Sequence, residues 1–122
     1  HDCVMDPWYG MGSGDMLDVA HMGLHVAQMT STKGVARSYD AITRNAADVL
    51  GLEGYGIAPG NPADVVLLQA GDPYEAIRLK ANRLLVVRRG KILARAPERA
   101  TQLFLAERAS RLTLEFRPGS IS

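Results

Sequence analysis

The segment that decides the fold is HDCVMDPWYGMGSGDMLDVAHMGLHVAQM, residues 1–29. Its glycine-rich centre, residues 10–14, predicts a loop. The apolar run that follows predicts a helix from about Asp15 to Met29. Ser13 or Asp15 is placed to cap this helix by accepting backbone N–H groups. Apolar residues recur on nearly every side of it, so we expect the helix to be buried on most sides.

The composition is that of an ordinary globular domain. The 122 residues are 47% hydrophobic and 22% charged, and the net charge is +1. Such a balance gives no bulk field toward nucleic acid or membrane. We interpret the arginines at 78, 83, 88, 89 and 95 as a solvated face rather than a phosphate-binding patch. One cysteine excludes an internal disulfide, and neither a signal-peptide pattern nor a membrane-length apolar run is visible. We therefore expect a cytoplasmic protein.

The rest of the chain changes from helical to strand-like patterns. TSTKG, residues 30–34, predicts a linker, and a second helix is predicted from Ser38 to Leu50, ended by Gly51. Its apolar stripe consists of Ile42, Ala46, Val49 and Leu50. Beyond a turn-rich break at 54–62, the predicted elements are a strand at 63–69, a short helix opening at Pro73, a hairpin of Leu84–Arg88 and Lys91–Arg95 turning at Arg89-Gly90, a helix at 98–109 and a strand at 111–116. The helix-rich first part and the strand-rich second part indicate pieces of two larger structural units.

Few residues stand out as chemical candidates. Asp2 could be a metal ligand or a general base, or it could simply be solvated. Trp8 could form a flat wall against a planar ligand or could cover a core. His21 and His25 have the i,i+4 spacing of zinc-binding helices, but the glutamate of H-E-x-x-H is missing and no third ligand is near. We therefore interpret both as packed or hydrogen-bonded histidines.

Three segments together resemble the bacterial cytosine deaminases of the amidohydrolase superfamily. Residues 1–29 look like the segment that opens at the last barrel strand, and SYDAITRNAADVLGLEGYGIAPGNPADVVLL (38–68) looks like the helix, turn and returning strand that follow. LLVVRRGKILAR (84–95) resembles the closing hairpin of their small β-sandwich domain. The resemblance implies an α/β fold: residues 1–53 end a metal-dependent (β/α)₈ barrel, and residues 54–122 supply the C-terminal strands of the β-sandwich and a tail.

The resemblance also implies an activity, the hydrolytic deamination of a cytosine-like ring. Asp2 matches the aspartate that ends the eighth strand, binds one divalent metal (zinc or iron) and moves a proton. Cys3, Met5 and Trp8 would line the substrate pocket. Cys3 stands where the family carries a polar, often acidic, residue, and Met5 where an aromatic residue can occur. Isocytosine, creatinine or another cyclic amidine therefore stays open as the substrate.

The family's other metal ligands have no counterpart in this sequence. One carboxylate does not hold a catalytic metal without partners, so Asp2 needs ligands from elsewhere. We therefore expect a C-terminal part of a larger enzyme, inactive by itself, whose partners are the missing N-terminal barrel segment and a small nitrogen heterocycle. We also expect a homo-oligomer. Two alternatives stay open: an amidohydrolase that opens a cyclic amide, and a non-catalytic α+β binding or scaffold module.

Overall fold

The computed structural model describes residues 4–102 and 104, and its first helix begins at the predicted cap. The elements follow in the order α1 (Met16–Val26), α2 (Thr32–Ile42), α3 (Arg44–Val49), β1 (Val65–Leu68), α4 (Pro73–Arg78), β2 (Arg83–Arg88) and β3 (Lys91–Arg95). Asp15 is the N-cap of α1, because its side chain accepts a hydrogen bond from the Leu17 amide at 2.7 Å.

Fewer faces of α1 are buried than its apolar composition predicts. Leu17, Ala20 and Leu24 form the buried stripe, at the i, i+3, i+7 spacing of one helix face. Met22 and Val26 are exposed. Within the described residues the other elements cover one face of α1, so the expectation that the helix is buried on most sides, which depends on a segment outside this chain, stays a prediction.

The predicted linker TSTKG is instead the start of α2. The Ser31 hydroxyl accepts a hydrogen bond from the Gly34 amide at 3.2 Å, which caps a helix that begins six residues earlier than predicted. A glycine within the first turn obscures this start in the sequence, because glycine has poor helix propensity.

The predicted second helix is broken at Thr43. This residue leaves helical geometry at φ −126° and ψ −93°, and its hydroxyl donates to the Tyr39 carbonyl at 2.7 Å. Such a bond competes with the helix backbone. The break shifts the phase of α3, so Ala47 is buried while Val49 and Leu50 are exposed. The predicted apolar stripe is wrong for that reason.

The predicted end of that helix is confirmed. Gly51 has φ +62°, its amide donates to the Asp48 carbonyl at 3.1 Å, and the Leu52 amide donates to the Ala47 carbonyl at 3.0 Å. These two bonds form a Schellman motif, which needs a left-handed residue at the position that glycine takes here.

The strands form one antiparallel sheet with the order β1-β2-β3. The hairpin is confirmed, with Arg89 and Gly90 both at positive φ, as a type I′ turn requires. Val86 pairs with Ala94 and Val87 with Ile92, so Leu93 is an extra residue in β3. An irregularity of this kind bends a strand and increases its local twist.

Helices and sheet meet in one apolar core. Its buried members are Leu17, Ala20, Leu24, Val35, Ala76, Ile77 and Ala81, and Tyr39, Ile42, Leu68 and Ala70 pack against them. Short helix α4, with Pro73 in its first turn as predicted, packs on both α1 and α2. The described chain is thus a small α/β unit with a three-stranded sheet. None of its helices is long and apolar enough to cross a bilayer.

Residues after β3 depart from the predicted helix at 98–109. Residues 98–101 form no helix. Instead, Gln69 brackets the Arg99 backbone: its side-chain amide donates to the Arg99 carbonyl and accepts from the Arg99 amide, each at 2.9 Å. The remainder of that prediction, apart from residues 102 and 104, and the predicted strand at 111–116 lie outside the described residues.

Candidate functional site

The loop before α1 is organised by Asp6. Its Oδ1 accepts hydrogen bonds from the backbone amides of Trp8 and Tyr9, both at 2.9 Å. This is an Asx turn, which an aspartate before Pro7 favours. The turn fixes the direction of the chain at the place where the sequence predicts substrate-binding residues.

Two of the four predicted site residues lie in this loop, and both are open to solvent. Trp8 is 90% exposed and Met5 is 81% exposed. Met5 also has φ +51°, a left-handed conformation that is uncommon for a non-glycine residue. Met5 and Trp8 therefore lie in the same exposed loop. Enclosing a substrate against them would require residues outside the described part of the chain.

The other two predicted site residues, Asp2 and Cys3, lie outside the described residues. Within residues 4–102, no group of three or more histidine, cysteine, aspartate or glutamate side chains is arranged to hold a metal ion. The donor set of the described chain therefore does not fit a catalytic metal centre by itself, and no chemical step can be drawn through a metal from these residues.

An ion pair ties the start of α1 to the sheet. Both terminal nitrogens of the Arg83 guanidinium contact the Asp15 carboxylate, one of them at 2.6 Å, across 68 residues of chain. Paired, bidentate contacts of this kind fix geometry as well as charge. Arg83 is thus no part of a freely solvated face, and the prediction for this arginine is wrong. No local pattern could have revealed a partner so distant in sequence.

Further contacts stabilise the same region, the junction between the loop and the start of α1. The Ser13 hydroxyl donates to Asp18 Oδ2 at 2.6 Å and accepts from the Asp15 amide at 3.2 Å. Lys80 Nζ lies 3.8 Å from Asp18 Oδ1. The end of the loop is therefore held by both its own hydroxyl and charges from the segment that joins α4 to β2.

Electrostatics at this corner follow from the Asp15–Arg83 contact. The hydrogen bonds from Arg83 are the largest cause that holds the pKa of Asp15 below its ordinary value, and the Leu17 amide acts in the same direction. Partial burial opposes both effects. The Asp15 carboxylate in turn raises the pKa of Arg83. Asp15 is thus held as an anion that caps a helix and binds a guanidinium.

His21 and His25 lie side by side on α1. Their ring centroids are 4.8 Å apart with the ring planes tilted by 58°. They border a cleft between α1, α2 and α4 rather than the loop with Met5 and Trp8. The two histidines are therefore separate from the predicted substrate site.

A family model described as "Amidohydrolase family" matches residues 1–94. The N-isopropylammelide isopropyl amidohydrolase of Pseudomonas sp. (strain ADP) is 34% identical over 95 residues, which cover 77% of this chain and 24% of the relative.

Solved structures give the same picture. The 5-methylcytosine deaminase from Klebsiella pneumoniae liganded with 5-fluorocytosine is 35% identical with a TM-score of 0.78, over 84% of this chain and 25% of that one. N-isopropylammelide isopropylaminohydrolase from Burkholderia multivorans ATCC 17616 is 37% identical with a TM-score of 0.71, over 75% and 24%. The chain spans about a quarter of the length of each of these relatives.

Proposed function

Because the chain belongs to the amidohydrolase family, we propose that it is the C-terminal part of a hydrolase that removes an amine from a cytosine-like ring. One observation carries the proposal. Its relatives in sequence and structure include a deaminase and an isopropylaminohydrolase, and both names denote hydrolytic loss of an amine. Ring deamination is thus favoured over the opening of a cyclic amide.

In the proposed reaction, water attacks the ring carbon that bears the amine. The carbon–nitrogen bond breaks, and the products are a ring carbonyl and ammonia. Asp2 accepts a proton from the attacking water and returns it to the departing nitrogen, so one carboxylate serves first as base and then as acid. The second proton of the attacking water moves to the adjacent ring nitrogen as the carbonyl forms, so water and the amine-bearing ring together supply every atom of the products.

A divalent metal, zinc or iron, held by Asp2 with residues outside this chain, would lower the pKa of bound water toward neutrality. Trp8 would stack on the planar ring, while Cys3 and Met5 would line the rest of the pocket. The exposed indole of Trp8, on a turn fixed by Asp6, supports this role, because a large apolar face is directed away from the chain's own core.

The proposed architecture assigns residues 1–53 to the end of a (β/α)₈ barrel and residues 54–122 to a β-sandwich domain and tail. The structural similarity to the two hydrolases supports this assignment. The homo-oligomer and the cytoplasmic location stay predictions of the sequence.

A second candidate is hydrolytic release of an alkylamine rather than ammonia. It is favoured by the relatives from Pseudomonas and Burkholderia, whose names specify an isopropylamino group. The proposed pocket loop is compatible with it, since Cys3 and Met5 offer apolar contacts of the kind that an alkyl substituent requires.

The test is Asp2→Asn in the complete protein, assayed for ammonia and for isopropylamine over a panel of pyrimidines, N-isopropylammelide and cyclic amidines. Loss of the acid–base carboxylate should lower turnover by about 10²–10⁴-fold. Asp48→Asn is the matched control, because Asp48 is an exposed carboxylate on α3, and it should leave turnover unchanged.

Each other outcome has a distinct meaning. Unchanged turnover in Asp2→Asn would exclude the proposed role of Asp2. Ring-opened products without free amine would favour the amidohydrolase that opens a cyclic amide. A protein that binds no stoichiometric metal and turns over no member of the panel would favour the non-catalytic scaffold.

A further inference from the structure

A shallow cleft of about 130 Å³ lies between α1, α2 and α4, away from the loop with Met5 and Trp8. Its lining residues are His21, Leu24, His25, Thr30, Val35, Tyr74, Ile77 and Arg78. Leu24, Val35 and Ile77 form a buried apolar floor. The polar groups of the cleft are thus carried on a packed, well-defined base.

The two histidines in this cleft have a separation that suits a shared ligand. A metal–nitrogen bond of about 2.0–2.1 Å places a metal about 3.2 Å from the imidazole centroid. Two such arms at 90–109° have centroids about 4.5–5.2 Å apart. The observed distance between the His21 and His25 centroids is 4.8 Å. The two rings on one face of α1 are therefore close enough to share an ion once a nitrogen of each ring turns toward it.

Both rings have nitrogen atoms available. Within the described part of the chain the two rings contact each other, and neither imidazole forms a hydrogen bond to another described residue. His25 is exposed and His21 is half-buried. The hydrogen-bonded interpretation that the sequence allows is therefore not what the described residues show, and packing of ring against ring leaves the nitrogens open to a ligand.

The charge in the cleft does not oppose a cation strongly. Arg78 is engaged by Glu75, with its Nη2 at 2.8 Å and 3.0 Å from the two carboxylate oxygens. This pair is close to neutral as a unit. Thr30 and Tyr74 add hydroxyl groups to the lining. The cleft, at about 130 Å³, has room for an ion together with water molecules.

We infer that His21 and His25 form an exchangeable two-histidine site for a divalent transition-metal ion, with water completing the coordination. Imidazole nitrogen suits copper, nickel and zinc, and the intrinsic order of affinity places Cu²⁺ above Ni²⁺ and Zn²⁺. With two protein ligands, the site binds more weakly than a closed structural centre of four. It is distinct from the metal proposed at Asp2 and does not rest on the proposed function.

The experiment titrates the full chain with Cu²⁺ or Ni²⁺ alone, followed by calorimetry and by the nitrogen splitting in the copper spectrum. All samples carry His1→Ala and Cys3→Ser, which remove the only other histidine and the thiol. The parent should bind one equivalent through two nitrogens. His21→Gln or His25→Gln should weaken this site by at least about tenfold, because the second imidazole no longer acts intramolecularly.

The matched control is His25→Gln with Val26→His, which keeps two helix histidines but places them five residues apart. Val26 is exposed, so a histidine is accommodated there, and five residues separate the rings by about 140° around the helix axis. This variant should bind as weakly as His25→Gln. Equal binding by the parent and His25→Gln, or full binding by the control, would overturn the inference. Circular dichroism of each variant checks that the helices are intact.

Discussion

At the scale of single residues, Asp15 makes two stabilising contacts where the loop joins α1. Its carboxylate accepts from the Leu17 amide and contacts the Arg83 guanidinium. A helix cap and a bidentate ion pair therefore depend on one side chain. Through this contact, β2 holds the segment that links α1 to the proposed substrate loop.

We expect Arg83→Met to lower the free energy of unfolding by about 1–2 kcal/mol at neutral pH, a value reduced by the partial exposure of both partners. Asp15→Asn should cost a similar amount, since asparagine also caps helices. Asp15→Ala should cost about 1 kcal/mol more because it removes the cap as well. Urea unfolding measures all three, and equal values for Asp15→Asn and Asp15→Ala would contradict the capping role.

The same variants have a predicted pH dependence. The folded-state pKa of Asp15 lies below its ordinary value of 3.8. The stabilisation is therefore complete above that unfolded value and is lost as pH falls through the folded pKa. The difference in stability between the parent and Asp15→Asn should be constant near neutral pH and shrink below about pH 3.8. A difference that grows on acidification would contradict the assignment.

At the scale of elements, packing and propensity disagree at the start of α2. A Cβ at Gly34 would lie 2.1 Å from the Met29 carbonyl oxygen and 2.8 Å from its carbonyl carbon. Both are backbone atoms, so no side-chain rotation relieves the overlap. Glycine at this position lets α2 begin directly against the end of the turn that follows α1.

Gly34→Ala should therefore lower the free energy of unfolding by about 2 kcal/mol or more, although alanine is the better helix former. Gly23→Ala is the matched control on α1, where a Cβ meets nothing within 4 Å. That change should raise the free energy of unfolding by about 0.5–1 kcal/mol. Thermal or urea unfolding of both variants gives the comparison, and stabilisation by both would show that the close approach at Gly34 is not real.

At the scale of the whole molecule, α4 links the helical half to the sheet half. Ile77 is 1% exposed and lies in the cluster that contains residues of α1 and α2. The sheet contributes Leu68 to the surface of the same cluster. Residues before and after the turn-rich break at 54–62 thus share one core, whereas the division into two domains at residues 53 and 54 stays a prediction.

We expect Ile77→Ala to destabilise the protein by about 2–5 kcal/mol, through lost burial and the cavity left behind. Ile57→Ala removes the same atoms from a side chain that is 95% exposed, and it should change the free energy of unfolding by less than about 0.5 kcal/mol. Denaturant unfolding read by both far-ultraviolet ellipticity and tyrosine fluorescence should show one transition. Separate transitions for helices and sheet would contradict a shared core.

The sequence by itself determined the features whose signals lie within a few residues. The Asp15 cap, Pro73 at the start of α4, the Arg89-Gly90 turn and the glycine end of α3 all follow from such local rules. Motif similarity along residues 1–95 likewise identified the family.

Only the tertiary structure decided what depends on distant parts of the chain. Arg83 contacts Asp15 across 68 residues of chain. Gly34, which the sequence places in a linker, lies inside α2 and close to the Met29 carbonyl. The burial of α1 and the phase of α3 depend on which neighbours pack against them and on the break at Thr43. Local sequence patterns determine the backbone preference of each segment. A contact between distant residues forms only when the whole fold brings their two segments together.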